Sequence, residues 1–163
     1  MRAAIIMIAA LALIATSASA EEVSDRDRFK LWNGCRPVDL VVEGLTDDSG
    51  EIGLHREDIE TAVRSRLRGA RIYDNDASPY LYVNVNVVGR AYAIGFEFTR
   101  YVEVAIPFWL KPEGMGQLTG FASTWVTGST GTHGSSAGFI LSAVARHGDK
   151  FVDEYLRVNA DAC

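Results

Sequence analysis

Residues 80–106 read YLYVNVNVVGRAYAIGFEFTRYVEVAI, and this stretch decides the fold. Apolar residues alternate with Tyr and Asn as far as Val88, and a second alternating run begins at Ala91. Alternation is typical of β-strands, because successive side chains point to opposite faces of a sheet. Only Gly89-Arg90 separates the two runs, so they predict an antiparallel hairpin with a two-residue turn.

The flanking sequence supplies four further elements. Before the hairpin we predict a strand at 38–45 and a helix whose apolar residues recur at helical spacing over 59–70. After it we predict a strand at 118–127, a glycine-rich turn, and a final helix at 137–158. The order β-α-β-β-β-α predicts an α+β two-layer sandwich, with a four-stranded, mostly antiparallel sheet and two helices on one face.

The predicted architecture leaves the second face of the sheet uncovered. The alternation places Tyr80, Tyr82, Asn84 and Asn86 there, and Trp125 is a further candidate for the same face. Tyrosine and asparagine form adaptable contact surfaces at modest entropic cost, so this row is a candidate binding surface. The alternative is that residues 21–32 fold back and cover it.

The first twenty residues have the pattern of a signal peptide. Arg2 precedes an apolar run at 3–15, and Ala18-Ser19-Ala20 resembles a cleavage site. The run of about 13 residues is short for a bilayer crossing, although an amino-terminal anchor is the alternative. We therefore expect a removed leader at 1–20, an extended lead-in at 21–34 and a single α+β domain at 35–163, with no transmembrane segment after cleavage.

The two cysteines, Cys35 and Cys163, predict one intramolecular disulfide if the protein is exported. There is no C-x-x-C pair that would favour redox chemistry instead. The bond would tie the carboxyl terminus to the start of the first strand.

The charge balance argues against a nucleic-acid partner. The chain carries 16 Lys+Arg and 21 Asp+Glu, a net charge of −5. Within this acidic chain Arg64, Arg68 and Arg71 are spaced along the first predicted helix and could contact an anionic surface or an acidic partner. The alternative is an ordinary solvent-exposed face in which Glu60 pairs with Arg64.

Signals for catalysis, metals or cofactors are weak. The glycine-rich segment 127–134 precedes a helix but matches neither phosphate-binding pattern, so no cofactor is predicted. His133 within it is the best single candidate for acid–base chemistry, with a polar loop residue as the alternative. His55 and His147 have no second histidine at metal-ligating spacing, so no metal site is predicted.

These observations favour an exported, periplasmic or secreted protein that binds rather than catalyses. The element order resembles that of small envelope-associated accessory domains of bacteria, which is an analogy of fold and assigns no site. We therefore expect a non-enzymatic accessory protein of the cell envelope that contacts a protein partner. The alternatives are a small secreted hydrolase using His133 and a carrier of a small apolar ligand.

Overall fold

The computed structural model of the protein describes residues 22–105 and 117–163, so the predicted signal peptide lies outside the described residues. The α+β class and the order strand, helix, three strands, helix are confirmed, with two short helices added. The elements are α1 (Asp25–Leu31), β1 (Asp39–Val42), α2 (Asp47–Glu51), α3 (Arg56–Gly69), β2 (Tyr80–Val88), β3 (Ala91–Val104), β4 (Leu118–Thr132) and α4 (Ala137–Val158). No helix in these ranges has the length and hydropathy needed to cross a bilayer.

The sheet has the strand order β1-β2-β3-β4. Strand β1 runs parallel to β2, because α2 and α3 form the crossover between them, and the other neighbours are antiparallel. Gly89 takes a positive φ of 54° in the β2–β3 turn, as expected where glycine opens a two-residue hairpin loop. The predicted hairpin is thereby confirmed.

Helices α3 and α4 pack on each other and on one face of the sheet, where the core lies. Alternate residues of β2 and β3 enter this core, and α4 contributes Phe151 and Tyr155. Phe98 contacts both rings, at centroid distances of 5.7 and 6.2 Å. Burial of each large apolar side chain stabilises the fold by about 1.5–3 kcal/mol, which makes this aromatic cluster a major part of the core.

The lead-in at 21–34 differs from the prediction, because it contains helix α1 instead of being extended throughout. Ser24 caps the helix by accepting a hydrogen bond from the Asp27 backbone N–H at 3.1 Å. Asp25 and Asp27 lie in the first turn, where negative charge is favourable. Seven residues are too few for helical periodicity to be recognised in the sequence.

Asn159, which is 1% exposed, holds the carboxyl end of α1 against the end of α4. Its amide nitrogen donates to the carbonyl oxygens of Leu31 at 3.0 Å and Tyr155 at 2.9 Å. Its Oδ1 accepts from the backbone N–H groups of Asn33 at 3.0 Å and Cys35 at 3.2 Å. One side chain therefore satisfies four backbone groups on two segments.

The predicted disulfide is confirmed beside Asn159. Cys35 and Cys163 are bonded, with Cα atoms 5.2 Å apart and a sequence separation of 128. The Cys163 backbone N–H donates to the Asn159 carbonyl at 3.0 Å. We call Asn159 together with this disulfide the terminal clasp, since it joins the segment that follows α1 to the segment that follows α4.

Strand β4 is longer than predicted and is interrupted once. It continues to Thr132, so most of the glycine-rich segment 127–134 is strand and not a loop. A register shift lies where β3 passes from Phe98 to Thr99, and it leaves Thr124 of β4 without a partner. Such a bulge moves the following side chains to the other face of the sheet.

The bulge explains why Trp125 does not lie on the uncovered face, as the alternation predicted. Its side chain is 4% exposed, and its ring packs against Phe151 at a centroid distance of 5.3 Å. The indole N–H donates to Glu154 of α4 at 2.7 Å. Trp125 is therefore part of the core between sheet and helices.

Candidate functional site

The face of the sheet opposite α3 and α4 is the candidate site, and we call it the open face. On β2 the residues of this face are half-buried or exposed, while their neighbours in sequence are buried. Helix α1 packs on α4 and β4 and makes no comparable contact with β2 in the described residues. The register places these residues of the four strands on the open face: Val41, Tyr80, Tyr82, Asn84, Asn86, Val88, Ala91, Ala93, Gly95, Glu97, Val126, Gly128, Thr130 and Thr132.

A polar network runs along the β2 side of the open face. The amide nitrogen of Asn86 donates to Oδ1 of Asn84 at 2.6 Å, and the amide nitrogen of Asn84 donates to Glu43. Glu43 follows β1 directly, and its carboxylate also interacts with the Tyr82 hydroxyl. Three of the four predicted residues of this row are thus joined by Glu43.

The environment of Tyr82 is distinctly anionic. Its hydrogen bond to Glu43, together with burial and the charges of Glu43 and Glu97, raises the pKa of Tyr82 to about 12. Tyr80 lies two residues before Tyr82 on β2 and pairs with Asp39 of β1 and Thr99 of β3. No described hydrogen bond joins its side chain to the network. Tyr80 therefore borders the network without belonging to it.

Small residues form a hollow beside this network. Gly95 lies opposite both Asn84 and Gly128, so the centre of the face has no side chain above the backbone there. A Cβ added at Gly95 would meet nothing within 4 Å, whereas one at Gly128 would collide with the Ile94 carbonyl oxygen. The adjoining depression has a volume of about 520 Å³, and its lining residues are Asn86, Val88, Ala91, Tyr92, Ala93, Thr130, Gly131 and Thr132.

Two carboxylates of the open face, Glu43 and Glu97, lie on either side of Tyr82. In the ranges 22–105 and 117–163 neither forms an ion pair with Lys or Arg. A face with fixed hydrogen-bond acceptors, uncompensated negative charge and a hollow floor favours a ligand group that is positively charged.

The predicted arginine row is partly engaged within the protein, although Arg68 and Arg71 are exposed. Arg64 donates to Glu60 at 3.1 Å, and both Arg64 and Arg68 lie over the Tyr73 ring, at 5.7 and 5.1 Å from its centroid. Arg71 lies beyond the end of α3 in the left-handed conformation, with φ of 60°. Two of the three side chains are therefore engaged by Tyr73 within the protein.

His133 is 3% exposed and both of its ring nitrogens are bonded to backbone. Nε2 lies 3.0 Å from the Gly89 carbonyl oxygen, and Nδ1 accepts the Ser135 N–H at 3.0 Å. This pattern fits a neutral imidazole protonated on Nε2. Its two nitrogens connect the β2–β3 turn to the start of α4, which is a structural role.

His147 packs where the sequence placed it, on the side of α4 that faces the sheet. Its Nε2 lies 2.9 Å from the Ser129 hydroxyl, and its ring lies 5.7 Å from that of Phe96. Burial lowers the pKa of His147, and the nearby charges of Lys150 and Arg146 lower it further. No group of three metal-ligating side chains occurs among the described residues.

Glu43 and Glu97 belong to this site but were not predicted from the sequence. Glu97 lies on the polar side of the β3 alternation, so that pattern already contained a signal for it. Glu43 reaches the face only because β1 pairs in parallel with β2, with Val42 opposite Val83. No local pattern in the sequence gives that register.

No protein-family model matches the chain, and no curated protein is similar to it. Among solved structures, a minor lipoprotein from Acinetobacter baumannii is similar at 9% identity, over 77% of this chain and 95% of that one, with a TM-score of 0.27. A likeness at that TM-score supports no conclusion about function.

Proposed function

We propose that the protein is an exported, periplasmic binding protein of the cell envelope that contacts a protein partner through the open face. The observation that carries this proposal is the network of Glu43, Tyr82, Asn84 and Asn86 beside an uncovered hollow. Polar side chains fixed by one another before binding lose little entropy when a partner arrives. Such preorganisation is what a recognition surface requires.

The chemistry of the face favours a cationic segment of the partner. Glu43 already accepts a hydrogen bond from Asn84 and interacts with the Tyr82 hydroxyl, which favours one position of its carboxylate. Glu97 lies across from Tyr82 in the neighbouring strand. A lysine or arginine side chain of the partner could lie between these carboxylates. The partner's backbone would then cross the open face at Gly95 and Gly128, where no side chain stands above the strands.

Export is supported by the leader-like sequence at 1–20 together with the disulfide. Disulfides persist in oxidising compartments such as the periplasm. The arginine row on α3 is the weaker candidate surface, because Arg64 and Arg68 already contact Tyr73.

The alternatives receive less support from the geometry. A hydrolase using His133 would need an accessible imidazole, and this one is buried with both nitrogens bonded to backbone. A carrier would need space between sheet and helices, where Phe98, Phe151 and Tyr155 are fully buried in mutual contact.

Site-specific photo-crosslinking in the native envelope fraction tests the proposal. A photoreactive amino acid at Asn86, which is exposed on the open face, should form one reproducible adduct, and the same group at Glu57 on α3 should not. Glu97→Gln should reduce that adduct, whereas the matched change Glu57→Gln should leave it unchanged. Equal labelling from positions 86 and 57, or an adduct indifferent to Glu97→Gln, would contradict the proposal.

A further inference from the structure

Strand β4 forms one edge of the sheet, and its outer side is unpaired in the described structure. It spans 15 residues, whereas β1 at the opposite edge spans four. Its ladder partner is β3 alone. Helix α1 packs near the bulge, where the Thr124 hydroxyl donates to the Lys30 carbonyl at 2.6 Å, and no described backbone group outside β3 hydrogen-bonds to residues 125–132. Outward N–H and C=O groups of an edge strand are a template for one more strand.

The sequence of β4 lacks the features that usually block such pairing. Residues 118–132, LTGFASTWVTGSTGT, contain no charged residue and no proline. Natural edge strands are commonly protected by lysine, proline or a bulge. The bulge at Thr124 interrupts β4 once and leaves the eight residues 125–132 in regular register with β3.

Side chains of α4 hydrogen-bond to this regular part of β4 on the core face of the sheet. The hydroxyl of Ser129 bonds His147, and Lys150 donates to the hydroxyl of Thr127 at 3.3 Å. On the open face the same stretch exposes Val126, 65% exposed, and Thr130. A fixed extended strand bearing β-branched residues at its free edge needs little reorganisation to accept a neighbour.

We propose that residues 125–132 of β4 pair antiparallel with the same residues of a second copy of the chain. The charge distribution favours a second copy at this edge. Each chain carries a net charge of −5, so two copies repel each other least where they meet along an uncharged segment such as 125–132. A two-fold axis through the strand pair brings identical uncharged segments together and joins the sheets into one of eight strands. The inference stands independently of the proposed function.

Antiparallel pairing places side chains of the same face opposite one another. In a two-fold pair, Val126 and Thr130 of one copy therefore meet open-face residues of the other, and contacts between β-branched side chains stabilise such pairs. A lysine at either position should oppose pairing, since lysine on an edge strand is a common protection against it.

The test measures self-association by sedimentation velocity from low to high micromolar concentration. Val126→Lys and Thr130→Lys should each raise the dimer dissociation constant at least about tenfold. The matched control is Val88→Lys, which introduces the same charge at a side chain that is 69% exposed on β2, away from the edge. A lysine at position 126 could pair with Glu97, which lies opposite Val126 in the sheet. Thr130 lies opposite Ala93, so an effect of Thr130→Lys on dimerisation would not come from such an ion pair.

Hydrogen exchange supplies a second measurement that does not depend on substitution. Amides of β4 that face outward should become protected as the wild-type concentration rises, and those of β1 should not. A wild type that stays monomeric at the highest concentration overturns the proposal, as does a dimer that survives both β4 substitutions. A dimer weakened equally by Val88→Lys overturns it too, because the contact would then be the open face and not the edge. Protection of β4 only when a different protein is added would assign the edge to that protein instead.

Discussion

Replacing Asn159 by alanine should destabilise the protein by about 3 kcal/mol. The side chain makes four hydrogen bonds to backbone groups and is 1% exposed. A typical hydrogen bond contributes about 0.5–1.5 kcal/mol, so four give about 2–6 kcal/mol. The lower half of that range applies if water enters the space and satisfies the N–H groups of Asn33 and Cys35.

The measurement is urea-induced unfolding of the oxidised protein, followed by circular dichroism. The midpoint should fall while the slope stays unchanged, since the surface exposed on unfolding is the same. Asn75→Ala, at an exposed turn position, is the matched control and should change stability by less than about 0.5 kcal/mol.

Asn159→Asp adds a test with a defined sign. Aspartate keeps the acceptor oxygen but places a negative charge next to the carbonyl oxygens of Leu31 and Tyr155, so burial should raise its pKa in the folded state. The folded state then binds more protons than the unfolded state, and stability falls as pH rises through the carboxyl range. A loss below about 1 kcal/mol for Asn159→Ala, or an Asp variant without this pH dependence, would refute the reasoning.

Four further outcomes follow from single features of the structure. Replacing Cys35 and Cys163 by serine should lower stability by up to about 5 kcal/mol in urea unfolding, because the closed loop is long. Arg71→Gly should raise the unfolding midpoint by the equivalent of about 0.5–1 kcal/mol, since glycine suits the left-handed φ of 60°, and an unchanged midpoint would contradict this. Ultraviolet titration should show Tyr82 ionising near pH 12, later than exposed tyrosines; burial raises the pKa of Tyr155 to about 12 as well, so Tyr82→Phe should reduce the delayed component by one tyrosine and not abolish it. Because burial lowers the pKa of His147, stability should decline as pH falls through the unfolded histidine pKa of about 6.5, and less steeply in His147→Gln.

The hairpin could be predicted from the sequence because its signal is local. Alternation over β2 and β3 assigns each side chain to a face, and the same pattern placed Tyr82, Asn84 and Asn86 on one row. The apolar spacing of α3 and α4 likewise depends only on neighbours in the chain. These elements hold most of the core, so the fold class followed from them.

The parts that escaped prediction depend on contacts between distant segments. One unpaired residue, Thr124, moves Trp125 to the opposite face, and no feature of the sequence marks a bulge there. Asn159 acts on residues more than 120 positions away, so its role is visible only once α1 and α4 meet. His133 sits among small polar residues, which predicts exposure, but the extension of β4 carries it under the β2–β3 turn.

The terminal clasp makes the protein a suitable candidate for circular permutation. The Cα atoms of Cys35 and Cys163 are 5.2 Å apart and Arg28 of α1 lies 3.8 Å from Asp161, so a flexible linker could connect Cys163 to Ser24, with new ends opened at the Gly89-Arg90 turn. Such a circular permutant would keep every contact of the clasp, yet the disulfide would close a short loop in place of one with a sequence separation of 128. The entropy that the bond removes from the unfolded chain depends on loop length, so the same covalent bond would stabilise the permutant less than the native order.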